Sequence, residues 1–200
     1  MLSTMPSKVL IIGCGALAHE LVALTRGLAN VDVTCLPANL HNRPGGIPAA
    51  VRDRIRRRRA SYDTFFVAYA DCGTGGLLDR VLEEEGVERL PGAHCYEVFA
   101  GRADFQQLTD EEPGTFFLTD FLVRNFERLV WRGLGLDRHP ELLPVYFGRY
   151  RRVMYLAQTR DPDLEETARA AASRLGLDYG HRFTGLANLA SGLHVLPGAA

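Results

Sequence analysis

Three cysteines occupy equivalent positions, each at the point where a predicted β-strand stops and a glycine-containing turn lies nearby. Cys14 ends the segment VLIIGC, Cys72 follows FFVAYAD, and Cys95 follows ERLPGAH. In an open sheet of parallel strands the carboxyl ends converge on one crevice, which is where ligands bind. Thiolates bind soft or borderline metal ions and attack electrophiles. The spacing therefore predicts one crevice with thiol chemistry, although it does not name a substrate.

A histidine follows the second predicted strand on the same side of the sheet. His41 lies in the segment LHNRP, and His94 directly precedes Cys95. Imidazole beside thiolates suits zinc or another transition metal, and three thiolates with one imidazole make a closed tetrahedral zinc set. Loss of one ligand would leave an open, reactive position. We therefore expect a transition metal, zinc above others, or a metallocofactor, with ligands drawn from Cys14, His41, Cys72, Cys95 and His94.

The same residues also allow a metal-free enzyme. Cys95 opens a predicted helix, whose N-terminal dipole would lower the pKa of the thiol. Cys72 and Cys95 on opposite sides of a substrate would serve as acid and base, as in cofactor-independent racemases. Nearby polar groups would transfer protons or orient ligands. The predicted catalytic residues are Cys72, Cys95, Asp71, Glu97 and Tyr96.

Two glycine-rich loops suggest a bound phosphate or carboxylate. Residues 13–18, GCGALA, fit the G-x-G-x-x-A pattern of dinucleotide sites between a strand and a helix, and residues 71–76, DCGTGG, open a second helix. Backbone N–H groups there would hold an anion. Tight packing of strand against helix would select the same glycines. The predicted cofactor-binding residues are Gly13, Gly15, Gly73, Thr74 and Gly75.

Nicotinamide binding is disfavoured, because the second strand ends Val33-Thr34-Cys35-Leu36 without the acidic residue that holds a ribose hydroxyl. A nucleotide- or effector-binding module without catalysis stays open as the weakest alternative.

Cys35 itself lies inside a strand, which favours a buried and inert thiol. The arginines between Arg54 and Arg59 lie outside the apolar face of their predicted helix, which is typical of a helix surface exposed to solvent.

Strand and helix patterns alternate along most of the chain, which predicts a Rossmann-like α/β fold with a mainly parallel sheet and helices on both faces. We expect a single domain over residues 1–200 with a helical insertion at about 111–148, where helical spacing follows the turn at Pro113-Gly114. Strands are predicted over 8–12, 31–36, 63–70, 88–90, 150–157 and 177–184, and helices over 16–28, 49–59, 76–85, 94–99 and 161–175.

The composition is that of an ordinary globular domain. The 200 residues are 46% hydrophobic and 24% charged, with a formal net charge of −1. This balance gives no attraction to nucleic acid or to an anionic membrane. The apolar run before Cys14 is shorter than a signal peptide requires, so we expect a cytoplasmic protein rather than a lipoprotein. Its four cysteines are then free thiols or ligands.

Six separated motifs resemble the domain-of-unknown-function 1638 family of bacteria and archaea. The resemblance places Cys14, His41, Cys72 and Cys95 within the family pattern and departs from it at Ala70, where glycine is more usual. It implies a metallocofactor or one-carbon role, with corrinoid-dependent methyltransferase proteins as partners. The motifs are GCGALA at 13–18, LPANLHNRP at 36–44, YADCGTGG at 69–76, LPGAHCYE at 90–97, PGTFFLTDFLVRNF at 113–126 and YLAQT at 155–159.

Overall fold

The computed structural model describes residues 7–196 and has an α/β fold in which all the strand pairs are parallel. The predicted fold class is confirmed, but the strands form a four-stranded sheet and a three-stranded sheet. Each sheet belongs to one compact unit. The first unit comprises residues 7–98 with 189–196, and the second comprises residues 99–188. The expectation of a single domain over 1–200 stays a prediction.

The first unit has the strand order β2-β1-β3-β4. The central strand β1 pairs with β2 on one side and with β3 on the other, so that Gly13 lies opposite both Cys35 and Ala68. All six residues of β1 are buried, as expected for a strand covered on both faces. The elements are β1 Val9–Cys14, α1 Ala18–Thr25, β2 Val31–Leu36, α2 Ile47–Arg58, β3 Thr64–Ala68, α3 Leu77–Glu85, β4 Glu88–Arg89 and α4 Cys95–Ala100.

The arginine run belongs to the packing of α2 against α3. Ile47, Val51 and Ile55 are fully buried at helical spacing on α2, which leaves the arginines outside. Arg56 and Arg59 donate to the Glu85 carboxylate at 2.7 and 2.9 Å. The guanidinium groups thus lie at the surface and help to join the two helices, which accounts for the charge run.

The second unit has the strand order β5-β6-β7. Its helix α5 has no counterpart in the sequence prediction, and its strand β5 lies within the stretch that was predicted to be a helical insertion. The stretch at about 111–148 therefore contains a strand as well as helices. No helix within residues 7–196 is long and apolar enough to cross a membrane. The elements are α5 Arg102–Glu111, β5 Thr115–Thr119, α6 Asp120–Arg124, α7 Leu143–Phe147, β6 Arg152–Ala157, α8 Pro162–Leu175 and β7 Asp178–Phe183. The last helix, α9 Ala187–Gly192, begins in the second unit and ends in the first.

A fully buried aspartate joins the carboxyl ends of β5 and β6. The Asp120 carboxylate accepts from the Tyr155 hydroxyl at 2.7 Å and from the Gln158 N–H at 2.9 Å. Its second oxygen accepts from the Thr159 N–H at 3.0 Å and from the Thr159 hydroxyl at 2.6 Å. With four donors the buried charge is well compensated, which is the condition for a stabilising polar network.

We expect Asp120→Asn to lower the free energy of unfolding by ~2–4 kcal/mol, because an amide NH₂ would then face donors inside the core. Urea unfolding at neutral pH measures this loss. Asp110→Asn is the matched control, since Asp110 is exposed and accepts a single side-chain hydrogen bond from Gln106. Equal stability of the two variants would show that the Asp120 network contributes little.

Candidate functional site: a thiol and imidazole crevice

The strand order of the first unit brings the loops that carry the predicted ligands to one edge of the sheet. The loops after β3 and β4 are hydrogen-bonded to each other: the Asp71 N–H donates to the Gly92 carbonyl at 3.1 Å, and the Cys72 N–H donates to the Ala93 carbonyl at 2.8 Å. The loops after β1 and β2 also touch, because a Cβ at Gly15 would lie 2.8 Å from the Leu36 carbonyl oxygen. We call this site the crevice, formed by Cys14, His41, Tyr69, Cys72 and Cys95.

Cys14 and His41 are in direct contact. The Cys14 Sγ lies 3.5 Å from His41 Nδ1 and 4.0 Å from Nε2. Nδ1 is also 3.2 Å from the Ala38 carbonyl oxygen, which gives the ring a backbone acceptor. The sulfur in turn accepts from the Ala16 N–H at 3.3 Å. Thiol and imidazole are thus each held by the backbone of their own loop.

Burial keeps the thiols of the crevice protonated. Desolvation raises the pKa of Cys14 to about 12, and the pKa values of Cys72 and Cys95 are also raised, first by burial. Neighbouring thiols add to this, since the charge of Cys72 raises the pKa of both Cys14 and Cys95. The pKa of His41 is lowered by desolvation. At neutral pH the crevice therefore contains thiols and a neutral imidazole.

The prediction of a lowered pKa for Cys95 is wrong. Cys95 does open α4, but that helix has only six residues. Hydrogen bonds from the backbone N–H groups of Cys95 and Tyr96 lower the pKa, and desolvation with the charges of Cys72 and Cys14 outweighs them. A short helix end compensates only part of the cost of charging a buried thiol.

Tyr69 is a residue of the crevice that the sequence patterns did not single out. Its side chain is fully buried, and no group among residues 7–196 makes a hydrogen bond of normal geometry with its hydroxyl. The ring lies nearly parallel to that of His41, with the centroids 6.2 Å apart. Interaction with Cys14 is close enough to help raise the pKa of Tyr69, after burial. An aromatic residue after an apolar strand is usually core, so only its register beside Cys14 would have marked it.

The predicted metal ligands do not form a finished coordination sphere. Within residues 7–196 no three histidine, cysteine, aspartate or glutamate side chains stand together closely enough to hold one ion. Cys14 and His41 meet as a pair, and the other thiols are linked to this pair through their electrostatic interactions. His94 is exposed, with its ring 6.4 Å from that of Tyr96. Binding of an ion by the whole set would require the loops to close.

Cys72 has a backbone conformation that is rare for a residue with a side chain. Its φ is +51°, in the left-handed region, and it is the one non-glycine residue within 7–196 with a positive φ. This conformation costs on the order of 1 kcal/mol, which glycine would not incur. The hydrogen bond from its N–H to Ala93 holds the strained residue beside the loop after β4.

The loop after β3 uses its own carboxylate to satisfy its donors. Asp71 accepts from the Thr74 hydroxyl at 2.6 Å and from the N–H groups of Gly76 and Gly75 at 2.9 and 3.1 Å. These bonds, led by the one from Thr74, lower the pKa of Asp71 to about 2. The side chain predicted to be catalytic thus organises the turn. An external anion at Thr74 and Gly75 would have to compete with a carboxylate already in place.

The glycines of the first loop serve close packing. A Cβ at Gly13 would lie 2.2 Å from Leu21 Cδ1, and one at Gly15 would press on the backbone of the loop after β2. The donor that a phosphate would use, the Ala16 N–H, is directed at the Cys14 sulfur. Glu97 has a similar local role, since its carboxylate accepts from the Ala93 N–H at 2.9 Å. These contacts favour the packing interpretation over a nucleotide cradle.

The protein is thus of the α/β class, and cysteine and histidine side chains lie together after the carboxyl ends of its parallel strands. The chain belongs to the family described as Protein of unknown function (DUF1638), whose model matches residues 35–193. The match includes His41, Cys72 and Cys95 and begins after Cys14. The family expected from the sequence motifs is therefore confirmed. No curated protein matches the chain.

Strain at Cys72 predicts an unusual order of stability among its variants. Cys72→Ala keeps the left-handed penalty, whereas Cys72→Gly removes it, so we expect the glycine variant to be more stable by about 1 kcal/mol. Cys95→Gly and Cys95→Ala are the matched pair, since Cys95 begins α4 without a positive φ, so glycine relieves no strain there and should be no more stable than alanine. Denaturant unfolding of all four measures both differences. The same order at both positions would contradict strain at Cys72.

The lowered pKa of Asp71 predicts how the stability changes with pH. A carboxylate whose folded-state pKa is about 2 stabilises the fold above its unfolded pKa of ~3.9, and the contribution disappears as the pH falls toward 2. Asp71→Asn should therefore lower the unfolding free energy at pH 7, and the difference from wild type should shrink between about pH 4 and 2. Asp53→Asn, at an exposed helix position, is the control. A difference that does not change with pH would rule out the charge as its source.

Proposed function

We propose that the crevice binds a soft or borderline divalent cation, with zinc favoured, through Cys14, His41, Cys72 and Cys95. The observation that carries this proposal is the contact between the Cys14 sulfur and the His41 ring at 3.5–4.0 Å. Ligand distances of ~2.3 Å for sulfur and ~2.0–2.1 Å for nitrogen around a tetrahedral zinc separate the two ligand atoms by about 3.6 Å. The Nε2 atom, which would be the ligand, lies 4.0 Å from the sulfur, so the two groups would need to approach by only ~0.4 Å to be spaced as neighbouring ligands of one ion.

The environment of His41 supports the same interpretation. Histidines that bind metals usually donate their second ring N–H to a backbone carbonyl or a carboxylate, which fixes the tautomer and the ring orientation. With Nδ1–H donating to the Ala38 carbonyl at 3.2 Å, Nε2 presents its lone pair. The lowered pKa of His41 keeps this lone pair free at neutral pH. The imidazole then binds a cation without first losing a proton.

A bound cation would stabilise the thiolate forms of the cysteines in the crevice. A thiolate at Cys72 would raise the pKa values of Cys14 and Cys95, and one at Cys14 would raise that of Cys95, so the crevice resists becoming negative by itself. A divalent cation replaces this repulsion by attraction and lets the thiols lose their protons. Closure of the loops after β3 and β4 toward the Cys14 and His41 pair would complete the ligand set. His94 is a reserve ligand in this proposal.

Other functions have less support. A racemase requires one of Cys72 and Cys95 to be a thiolate at neutral pH, and the raised pKa values of both oppose this. A nucleotide module requires loop donors that the protein already uses internally, as Gly75 and Ala16 do. A small anionic ligand, a corrinoid and methyl transfer stay predictions that rest on the glycine-rich loops and the family resemblance alone.

Anaerobic titration of the purified protein with Zn²⁺ and Cd²⁺ tests the proposal. We expect one ion per chain, with a cadmium–thiolate charge-transfer band in the ultraviolet. Cys14→Ser and His41→Ala should each lower the affinity at least tenfold, whereas Cys35→Ser should leave it unchanged. Cys35 is the matched control, because its half-buried sulfur lies beside Gly13 and has no contact with His41 among those described for residues 7–196. A protein that binds neither ion would refute the proposal.

Raised thiol pKa values also predict proton release. At pH 7 each thiol that becomes a ligand must lose a proton and neutral His41 loses none, so binding through three thiolates releases about three protons. The apparent affinity should then rise with pH, by about tenfold per pH unit for each proton released. Calorimetry in two buffers of different ionisation enthalpy counts these protons. Release of one proton or fewer would mean that Cys72 and Cys95 are not ligands.

A further inference from the structure

We infer that the Tyr69 hydroxyl is a hydrogen-bond donor reserved for the Cys14 sulfur in its metal-bound thiolate form. The inference rests on the proposed function and assigns a positioning residue to that site. Tyr69 is fully buried, and within residues 7–196 its hydroxyl has no hydrogen bond of normal geometry, although it is close enough to the Cys14 sulfur to interact with it. Such a group costs ~1–3 kcal/mol, so its retention requires an explanation.

The sheet register places Tyr69 beside Cys14. Strands β1 and β3 are parallel, and Gly13 lies opposite Ala68, so Cys14 and Tyr69 follow at the same level. Neighbouring strands are ~4.8 Å apart, and residues at the same level direct their side chains to the same face. The phenol ring also stacks beside His41, whose ring touches the Cys14 sulfur. Tyr69 thus flanks the pair that we propose as the first two metal ligands.

A neutral thiol does not satisfy the Tyr69 hydroxyl well. Sulfur in a thiol is a weak acceptor, and the Cys14 sulfur already accepts from the Ala16 N–H at 3.3 Å. A thiolate carries a full charge and accepts several strong hydrogen bonds. When a cation displaces the Cys14 proton, the hydroxyl gains an acceptor within its reach. The backbone N–H and the phenol would then hold the thiolate from two directions.

The protein contains a second buried tyrosine that provides a matched control. Tyr155 belongs to the second unit and is only 1% exposed. Its hydroxyl donates to the Asp120 carboxylate at 2.7 Å. Tyr69→Phe and Tyr155→Phe remove the same oxygen atom, in one case without a partner and in the other from a complete network. Tyr69→Phe should therefore affect metal binding and not stability, whereas Tyr155→Phe should affect stability and not metal binding.

The test uses Cd²⁺ as the probe, under anaerobic conditions, with a competing chelator to measure affinity. We expect Tyr69→Phe to weaken Cd²⁺ binding about tenfold, the lower end for residues that support a metal ligand. The cadmium–thiolate band should shift to lower energy, because a thiolate without its donor holds its electrons less tightly. The metal-free variant should unfold at the wild-type temperature or above it. Tyr155→Phe should lower the unfolding temperature and leave Cd²⁺ affinity and the band unchanged.

Vibrational spectroscopy of the wild-type protein tests the same inference without depending on a variant that folds. The tyrosine ring doublet in ultraviolet resonance Raman spectra reports the hydrogen bonding of the phenol, and Cd²⁺ should convert one tyrosine to a donor. A doublet that is unchanged by Cd²⁺, or a Tyr69→Phe variant with wild-type affinity and band, would overturn the inference and leave the proposed metal site standing. Tyr69→Phe that destabilises the metal-free protein as much as Tyr155→Phe would also overturn it. A wild-type protein that binds no Cd²⁺ would overturn both.

Discussion

The parallel pairing of β1 with both of its neighbours is the constraint on which the crevice depends. This pairing sets Gly13 level with Cys35 on one side and Ala68 on the other. The strands β1, β2 and β3 therefore end at nearly the same level, and the residues that follow each strand form turns at the carboxyl edge of the sheet. Cys14 and Tyr69 are adjacent for this reason. A shift of one residue in the register would turn one of them to the opposite face of the sheet.

Within the crevice, burial favours the neutral form of the three thiols and of the imidazole. Desolvation is the largest cause of the raised pKa values of Cys14, Cys72 and Cys95, and also of the lowered pKa of His41. Both shifts favour the neutral form of each group, so the metal-free fold avoids buried charge. The left-handed Cys72 and the Tyr69 hydroxyl, which makes no hydrogen bond of normal geometry within residues 7–196, are costs of a different kind, and both occur in the crevice. Two energetically unfavourable features at one site indicate a functional role more strongly than one such feature would.

The sequence predicted the place of the site better than its internal geometry. Buried runs such as VLIIGC mark strand ends well, and parallel strands share one carboxyl edge, so the convergence of Cys14, Cys72 and Cys95 could be foreseen. The pKa of Cys95 could not, because the degree of desolvation depends on packing across the whole unit. Strand β5 was missed because the helical spacing after the turn at Pro113-Gly114 led the whole stretch at about 111–148 to be predicted as a helical insertion. Tyr69 was missed because its missing hydrogen bond is visible only in three dimensions.

The turns of this sheet use their N–H groups internally, which argues against a phosphate as the ligand of the crevice. In nucleotide-binding α/β proteins, the first strand is followed by a turn whose free N–H groups face the ligand. Here the Ala16 N–H points to the Cys14 sulfur, and in the loop after β3 Asp71 accepts from two N–H groups and from Thr74. The protein has therefore placed acceptor atoms where a phosphate would require donors. Sulfur and imidazole acceptors follow the carboxyl ends of β1 and β2, and this difference is the reason that we propose a cation as the ligand and not a phosphate.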